Sequence, residues 1–271
     1  VSASTIDDDL ADQVLERLGL GGRPTVDPDG LAALYGRWGR SISFDNVRKL
    51  VSLHGGDLGP LPGLDATDFF ENWLAHGVGG TCWPSANALT ALARACGFDA
   101  RRVTASMYDK GEPSHGTTIV VVDGEEWLVD SSMLTDRPVP LSTTGATALD
   151  DPVFATTAEP VAEGWLFGFP QLDGSSLPCR TLSAAETSHD FFAHRYEVSR
   201  TWSPFNEHLH LRRNRGHAIE SFTAGRRRVR NAGGFTDDPL TGEALREALT
   251  GLALSEEILD RLSTALPGEL G

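Results

Sequence analysis

The apolar residues of this chain change their period at Phe98, and that change constrains the architecture more than any other feature. Before it, Leu89, Leu92, Ala93 and Cys96 follow the i, i+3, i+4, i+7 spacing of an amphipathic helix, and Gly97 closes it. After it, Arg101 to Met107 alternates, Thr117 to Val122 is β-branched, and Glu126 to Val129 resumes beyond Asp123-Gly124. Asp-Gly between two such runs predicts a tight hairpin. A helical first third followed by strands reads as an α+β fold.

The remaining elements follow the same logic. Leu10, Val14, Leu15 and Leu18 predict a first helix, stopped by Gly19 and Gly21, and a second spans Pro28 to Trp38. Ile42 to Leu53 is mixed, and Gly55 to Leu64 is loop. Asp65 or Thr67 caps a helix running to Ala75 that buries Phe69, Phe70, Trp73 and Leu74. Val139 to Leu177 reads as short strands joined by loops. Asp190 to Val198, Leu209 to Leu211, Ala218 to Phe222 and Arg226 to Val229 read as further strand. Leu245 to Leu252 and Ser255 to Leu262 close the chain as helices, the second capped by Ser255.

Composition removes several functions. At 271 residues and 40% apolar, the chain can bury a core sized for one large domain or two to three small ones. A formal charge of −15 opposes nonspecific nucleic-acid binding. No stretch approaches the roughly 20 apolar residues of a membrane span. Val1 to Leu10 lacks the basic start and apolar core of a signal peptide, so a cytoplasmic protein without membrane partners is expected. Three cysteines without Cys-x-x-Cys spacing predict neither a disulfide framework nor a metal site. Arg212, Arg213, Arg215, Arg226, Arg227, Arg228 and Arg230 form a basic cluster. It reads either as a solvated strand face or as an anion site for a phosphorylated donor or an acidic carrier protein.

The chemistry centres on Cys82, in Gly79-Gly80-Thr81-Cys82-Trp83-Pro84, where a glycine loop meets the Leu89–Cys96 helix. Pro84 suits a first helical turn, which has no use for its missing N–H. Free backbone N–H groups there, with the helix dipole, favour a thiolate over a thiol. The hairpin supplies the partners. A two-residue turn at Asp123-Gly124 sets Val122 opposite Glu125 and Thr117 opposite Asp130. His115, two residues from Thr117, then points to the same sheet face as Asp130, at roughly 7–8 Å between diagonal backbone positions. Cys82 is thus the candidate nucleophile, His115 its base, and Asp130 the carboxylate that orients the imidazole. Singly, a cysteine is more often a small buried hydrophobe, as expected of Cys96 and Cys179. A strand-edge histidine is usually solvated, and a strand-ending aspartate usually belongs to a turn.

With these residues in place, the chain resembles the arylamine N-acetyltransferase family. That family carries Arg-Gly-Gly-x-Cys and an aromatic, then a histidine opening an apolar strand, then an aspartate closing the next. The matching segments here are Val78 to Trp83, Ser114-His115-Gly116 with Ile119 to Val122, and Trp127 to Asp130. Phe44-Asp45-Asn46-Val47 resembles its Phe-Glu-Asn-Leu, and Tyr196 to Phe205 its later Tyr-x-Val-Ser segment. The resemblance implies a helical domain over residues 1–98 with the nucleophile, a β-barrel over 99–190 with His and Asp, and an α/β lid over 191–271. It also implies a transglutaminase- or papain-like cysteine core. Its implied reaction moves an acyl group, acetyl in the family, from coenzyme A through an acyl-cysteine to an arylamine or hydrazine nitrogen, without a metal.

The departures shape the alternatives. Val78 stands for the arginine and Asp45 for the glutamate, two positions expected to pair, so their joint change suggests a re-packed support. Pro84 and Ala86 also differ from the family, Asn87 falls one place late, and Ser131-Ser132-Met133 replaces a glycine-rich stretch. Phe44, Trp83, Met133 and Phe205 are the substrate-pocket candidates. The same triad also suits an amide synthase of secondary metabolism that takes a carrier-bound acyl chain, or a thiol hydrolase or transglutaminase-like enzyme. A binding protein that has kept the scaffold is the third class.

Overall fold

A computed structural model describes residues 5–270; the first four residues of the Val1 to Leu10 stretch lie outside it. The first part holds five helices and one short strand: α1 (Asp8–Arg17), α2 (Pro28–Ser41), β1 (Phe44–Asp45), α3 (Val47–His54), α4 (Ala66–His76) and α5 (Cys82–Ala95). Aspartates start three of them, because each carboxylate accepts an amide that the first turn leaves unpaired. Asp7 accepts from Leu10 N at 2.8 Å and Asp27 from Gly30 N at 2.7 Å. Of the two caps offered for α4, Asp65 is the one used, accepting from Asp68 N at 3.1 Å. The apolar faces converge on one core, in which Trp38 stacks on Phe69 at 5.9 Å and meets the edge of Phe70 at 6.0 Å. Leu89 and Leu92 of α5 complete it.

The period change at Phe98 is the start of the sheet. Strands β2 (Asp99–Met107), β3 (His115–Val122), β4 (Glu125–Leu128), β5 (Val139–Leu141), β6 (Thr147–Leu149), β7 (Thr156–Val161), β8 (Gly164–Pro170) and β9 (Ser176–Thr181) pair antiparallel. Their order is β5-β4-β3-β2-β9-β8-β7-β6. The Thr147 hydroxyl of β6 donates to the Pro140 carbonyl of β5, so the two edges meet and the sheet curls into a nearly closed barrel. Asp123 at φ +53° and Gly124 at φ +81° form the two-residue turn, and Val122 pairs with Glu125.

Residues 189–198 depart from expectation: they form α6 (His189–Val198), not a strand. Ser188 caps it, accepting from Phe191 N at 3.2 Å. Its buried stripe consists of Phe192 and Tyr196 alone, too narrow to show a helical period in an aromatic-rich segment.

Beyond it, β10 (His210–Asn214), β11 (Ala218–Thr223), β12 (Arg226–Asn231) and β13 (Gly234–Pro239) form an antiparallel sheet whose first strand is β1. Phe44 pairs with Arg212, and Asn46 fastens the seam. Its side chain donates to the carbonyls of Phe205 (3.0 Å) and His208 (2.8 Å) and accepts from His210 N (2.8 Å). Helices α7 (Gly242–Thr250), α8 (Glu256–Ala265) and α9 (Pro267–Leu270) pack behind, with Ser255 capping α8. Among the described residues, no helix is long and apolar enough to cross a membrane.

Candidate active site

The position of Cys82 is set by the loop before α5. A Cβ on Gly79 would lie 1.9 Å from the Ser43 carbonyl oxygen, so only glycine lets the loop press against β1. Asp45 holds it there: its carboxylate accepts from Gly79 N at 2.6 Å, Ser43 Oγ at 2.7 Å and Val47 N at 3.1 Å. Burial pushes the Asp45 carboxyl above the usual carboxylate range, against these three hydrogen bonds. Val78 is fully buried among Val47, Leu50 and the closing helices. The paired change of Val78 and Asp45 therefore leaves a carboxylate that grips backbone amides, with an apolar contact beside it.

Cys82 opens α5, and Thr81 before it makes no side-chain cap. His115 opens β3, and Asp130 follows β4, where Val129 N still bonds the Thr118 carbonyl at 3.0 Å. The hairpin register thus carries past Leu128 and puts acid and base together. Asp130 Oδ2 accepts from His115 Nε2 at 2.6 Å, and the Cys82 side chain is near enough to the imidazole to raise its affinity for a proton. With Nε2 committed to Asp130, Nδ1 is the nitrogen left for the sulfur.

The chain is buried and braced. Asp130 Oδ1 accepts from the amides of Ser132 (2.9 Å) and Met133 (3.0 Å), and Tyr35 donates to the Asp130 carbonyl at 2.7 Å. The edge of Phe169 meets the His115 ring at 5.6 Å. Burial pushes the Asp130 carboxyl up, but the His115 charge and hydrogen bonds outweigh it and hold it below its ordinary range. For His115, burial acts downward, while the Asp130 charge and the bonds to Asp130 and Cys82 carry it well above an ordinary imidazole. Both directions favour the carboxylate and imidazolium forms of the pair.

Cys82 and His115 open into a cavity of about 730 Å³ between the barrel and the C-terminal sheet. Phe44 and Phe205, ring to edge at 5.2 Å, form part of its wall. The other two pocket candidates lie elsewhere. Trp83 turns inward against Phe192 at 4.9 Å and covers Gly116, where a Cβ would meet its ring at 2.9 Å. Met133 sits in the barrel core and touches the site only through its amide. Tyr35 and Phe169, both unforeseen, support the triad; Tyr35 reads in sequence only as a core position of α2. Among the described residues, no group of three or more His, Cys, Asp or Glu side chains is placed to hold a metal ion.

A model of the N-acetyltransferase family matches residues 28–167, more than half of the chain. The chain belongs to this family. Proansamycin X synthase of Amycolatopsis mediterranei is 29% identical over 122 residues, 43% of this chain. The match spans 45% of that relative, less than half its length. An N-arylamine acetyltransferase of Mycobacterium smegmatis superposes with a TM-score of 0.81 at 18% identity, covering 96% of this chain and 98% of that one. The arylamine N-acetyltransferase of Salmonella typhimurium gives 0.78 at 18%, covering 95% and 98%. At such identities these likenesses show the shared fold.

Within this family member, the arginine cluster divides by partner. Arg226 and Arg228 bond Asp237 at 2.7 and 3.2 Å, and Arg227 bonds Glu220 at 2.7 Å. Arg213 donates to the carbonyls of Arg40 and Leu252, and Arg230 to that of Leu172. Most of the cluster is therefore spent inside the fold. Arg212 and Arg228 both line the cavity, and of these two Arg212 has no carboxylate partner among the described residues.

Proposed function

We propose that this family member transfers an acyl group from a thioester to an amine nitrogen through an acyl-Cys82 intermediate. The observation that carries the reading is the continuous chain of Cys82, His115 and Asp130 ending at a cavity large enough for both substrates in turn. The Cys82 sulfur attacks the thioester carbonyl, with its proton held by His115, and the positive end of α5 favours the developing oxyanion. The donor thiol leaves with that proton. An amine then attacks the acyl-cysteine, His115 removes the ammonium proton, and the cysteine sulfur departs. Asp130 keeps the imidazole in the orientation both halves need. The final amide is more stable than either thioester, so the second half draws the first forward.

Acetyl-coenzyme A as donor and an arylamine or hydrazine as acceptor are the family's chemistry, and Phe44 and Phe205 offer apolar faces to an aromatic acceptor. The papain-like reading of the core rests on the same arrangement of a helix-start cysteine against a sheet-borne histidine. The similarity to proansamycin X synthase favours a second reading: an amide synthase that receives a longer acyl chain from a carrier. Intact-protein mass spectrometry after incubation with acetyl-coenzyme A tests the proposal. One acetyl increment, absent in Cys82→Ala and discharged by added arylamine, supports it. Acylation by long-chain thioesters alone would favour the synthase, discharge by water alone a hydrolase, and no acylation by any thioester would overturn the mechanism.

A further inference from the structure

The C-terminal sheet presents one transverse row of paired residues: Phe44, Arg212, Ser221, Arg228 and Asp237. The first four line the cavity. Residues paired across neighbouring strands share a face, so this row is a wall of the reaction chamber. Its two arginines differ. Arg228 at the far side is answered by Asp237. Arg212, half-buried and next to Phe44, has no carboxylate within ion-pair distance among the described residues. Its Nη2 donates to the Pro170 carbonyl at 3.2 Å, and its buried Nε has no partner.

A second orphan lies close by. Ser132 also lines the cavity, and its hydroxyl is buried without a partner, although its amide is bound to Asp130. Arg212 and Ser132 line the same chamber as Cys82 and His115, and Ser132 follows Asp130 by two residues. Asp130 itself is not the missing counter-ion, because its two oxygens are occupied by His115, Ser132 and Met133. A buried guanidinium edge and a buried hydroxyl are costly to leave unmade, and an anion entering the chamber that both residues line is the ligand chemistry that suits them.

We propose that Arg212 and Ser132 form a carboxylate-binding subsite beside the acyl-cysteine, so that a substrate of this enzyme carries an ionised carboxylate close to its reacting atom. The inference rests on the transfer reading above and names the substrate class it leaves open. The carboxylate can arrive on the acyl half, as a dicarboxylic half-thioester, or on the amine, as an aminobenzoate. A coenzyme phosphate is a poor occupant, because the pantetheine arm holds it far from the thioester carbon.

Equilibrium binding to the Cys82→Ala protein separates these sources without requiring turnover. Succinyl-coenzyme A is compared with butyryl-coenzyme A, and the three aminobenzoates with their neutral carboxamides. In at least one set the acid is expected to bind about tenfold more tightly. That preference should vanish in Arg212→Gln, shrink in Ser132→Ala, and return in part in Arg212→Lys, with thermal unfolding confirming that each variant is folded. Equal binding of acid and neutral partner in every set would overturn the proposal. So would an Arg212→Gln loss that is equal for succinyl- and butyryl-coenzyme A, which would assign Arg212 to the coenzyme. An acid preference in Cys82→Ala, together with a wild-type protein that no thioester acylates, would instead sink the transfer reading and leave the subsite standing.

Discussion

His115 and Asp130 are single side chains whose ionic partnership has consequences at different pH values. An imidazole raised to about 10 in the folded protein, from an ordinary value of about 6.5, contributes stability that is complete below about pH 6.5. That contribution fades as pH rises toward 10. The lowered carboxyl of Asp130 contributes above its ordinary range near pH 4 and loses it on acidification. The melting temperature of the wild-type protein should therefore fall from pH 6.5 to 10 more steeply than that of His115→Gln, measured by calorimetry at matched ionic strength. Parallel pH profiles would remove the ion pair from the account. Asp130→Asn should keep the fold yet slow acylation by roughly 10³–10⁴-fold, because an amide cannot stabilise an imidazolium; stopped-flow acylation reads this directly.

The shared face of His115 and Asp130 was legible from residues alone, because Asp123-Gly124 predicts a two-residue turn and an even-length turn fixes parity. The direction of Trp83 and Met133 was not. Trp83 stands one residue from Cys82, and whether it faces the cavity or Gly116 depends on α6, whose existence the local pattern concealed. The solitary state of Arg212 was equally hidden. Arg215, Arg226, Arg227 and Arg228 meet carboxylates and Arg213 and Arg230 meet backbone carbonyls, and no spacing rule reveals that Arg212, bonded to the Pro170 carbonyl, keeps its Nε unpaired.

At the scale of elements, two short segments carry more than their length suggests. The loop at Gly79-Gly80 is held by Asp45 and closes on the Ser43 carbonyl. Gly79→Ala should displace it, cutting the acylation rate of Cys82 and lowering the melting temperature together, whereas Gly21→Ala, with open space around it, should change neither. Helix α6 lays Phe192 over Trp83 and depends on one cap at Ser188. Ser188→Ala should cost about 1 kcal/mol of stability in denaturant titration. Faster amide exchange along α6, with the barrel strands unaffected, would identify the loss as local.

Across the whole molecule, the decisive connection is β1 with β10, fastened by Asn46. A single asparagine there bonds three backbone groups of the C-terminal segment, and its alanine variant would strand them in a half-buried seam. Asn46→Ala is expected to destabilise the protein by roughly 2–3 kcal/mol. Hydrogen exchange should show the C-terminal sheet opening before the barrel. A uniform loss of protection would mean the two sheets unfold as one unit.

That seam joins positions 164 residues apart, and synthesis on the ribosome meets its two sides at different times. Cys82, His115 and Asp130 all leave the exit tunnel well before His210. On the proposed mechanism, the three reacting side chains are therefore synthesised before the wall that bears Arg212, Phe205 and Ser221. During that interval any thioester small enough to diffuse in can meet the cysteine, and selectivity arrives only with the last strands. Ribosome-stalled chains with β9 clear of the exit tunnel and β10 still inside it should accept thioesters that the finished protein excludes, so discrimination would be the last property this protein acquires.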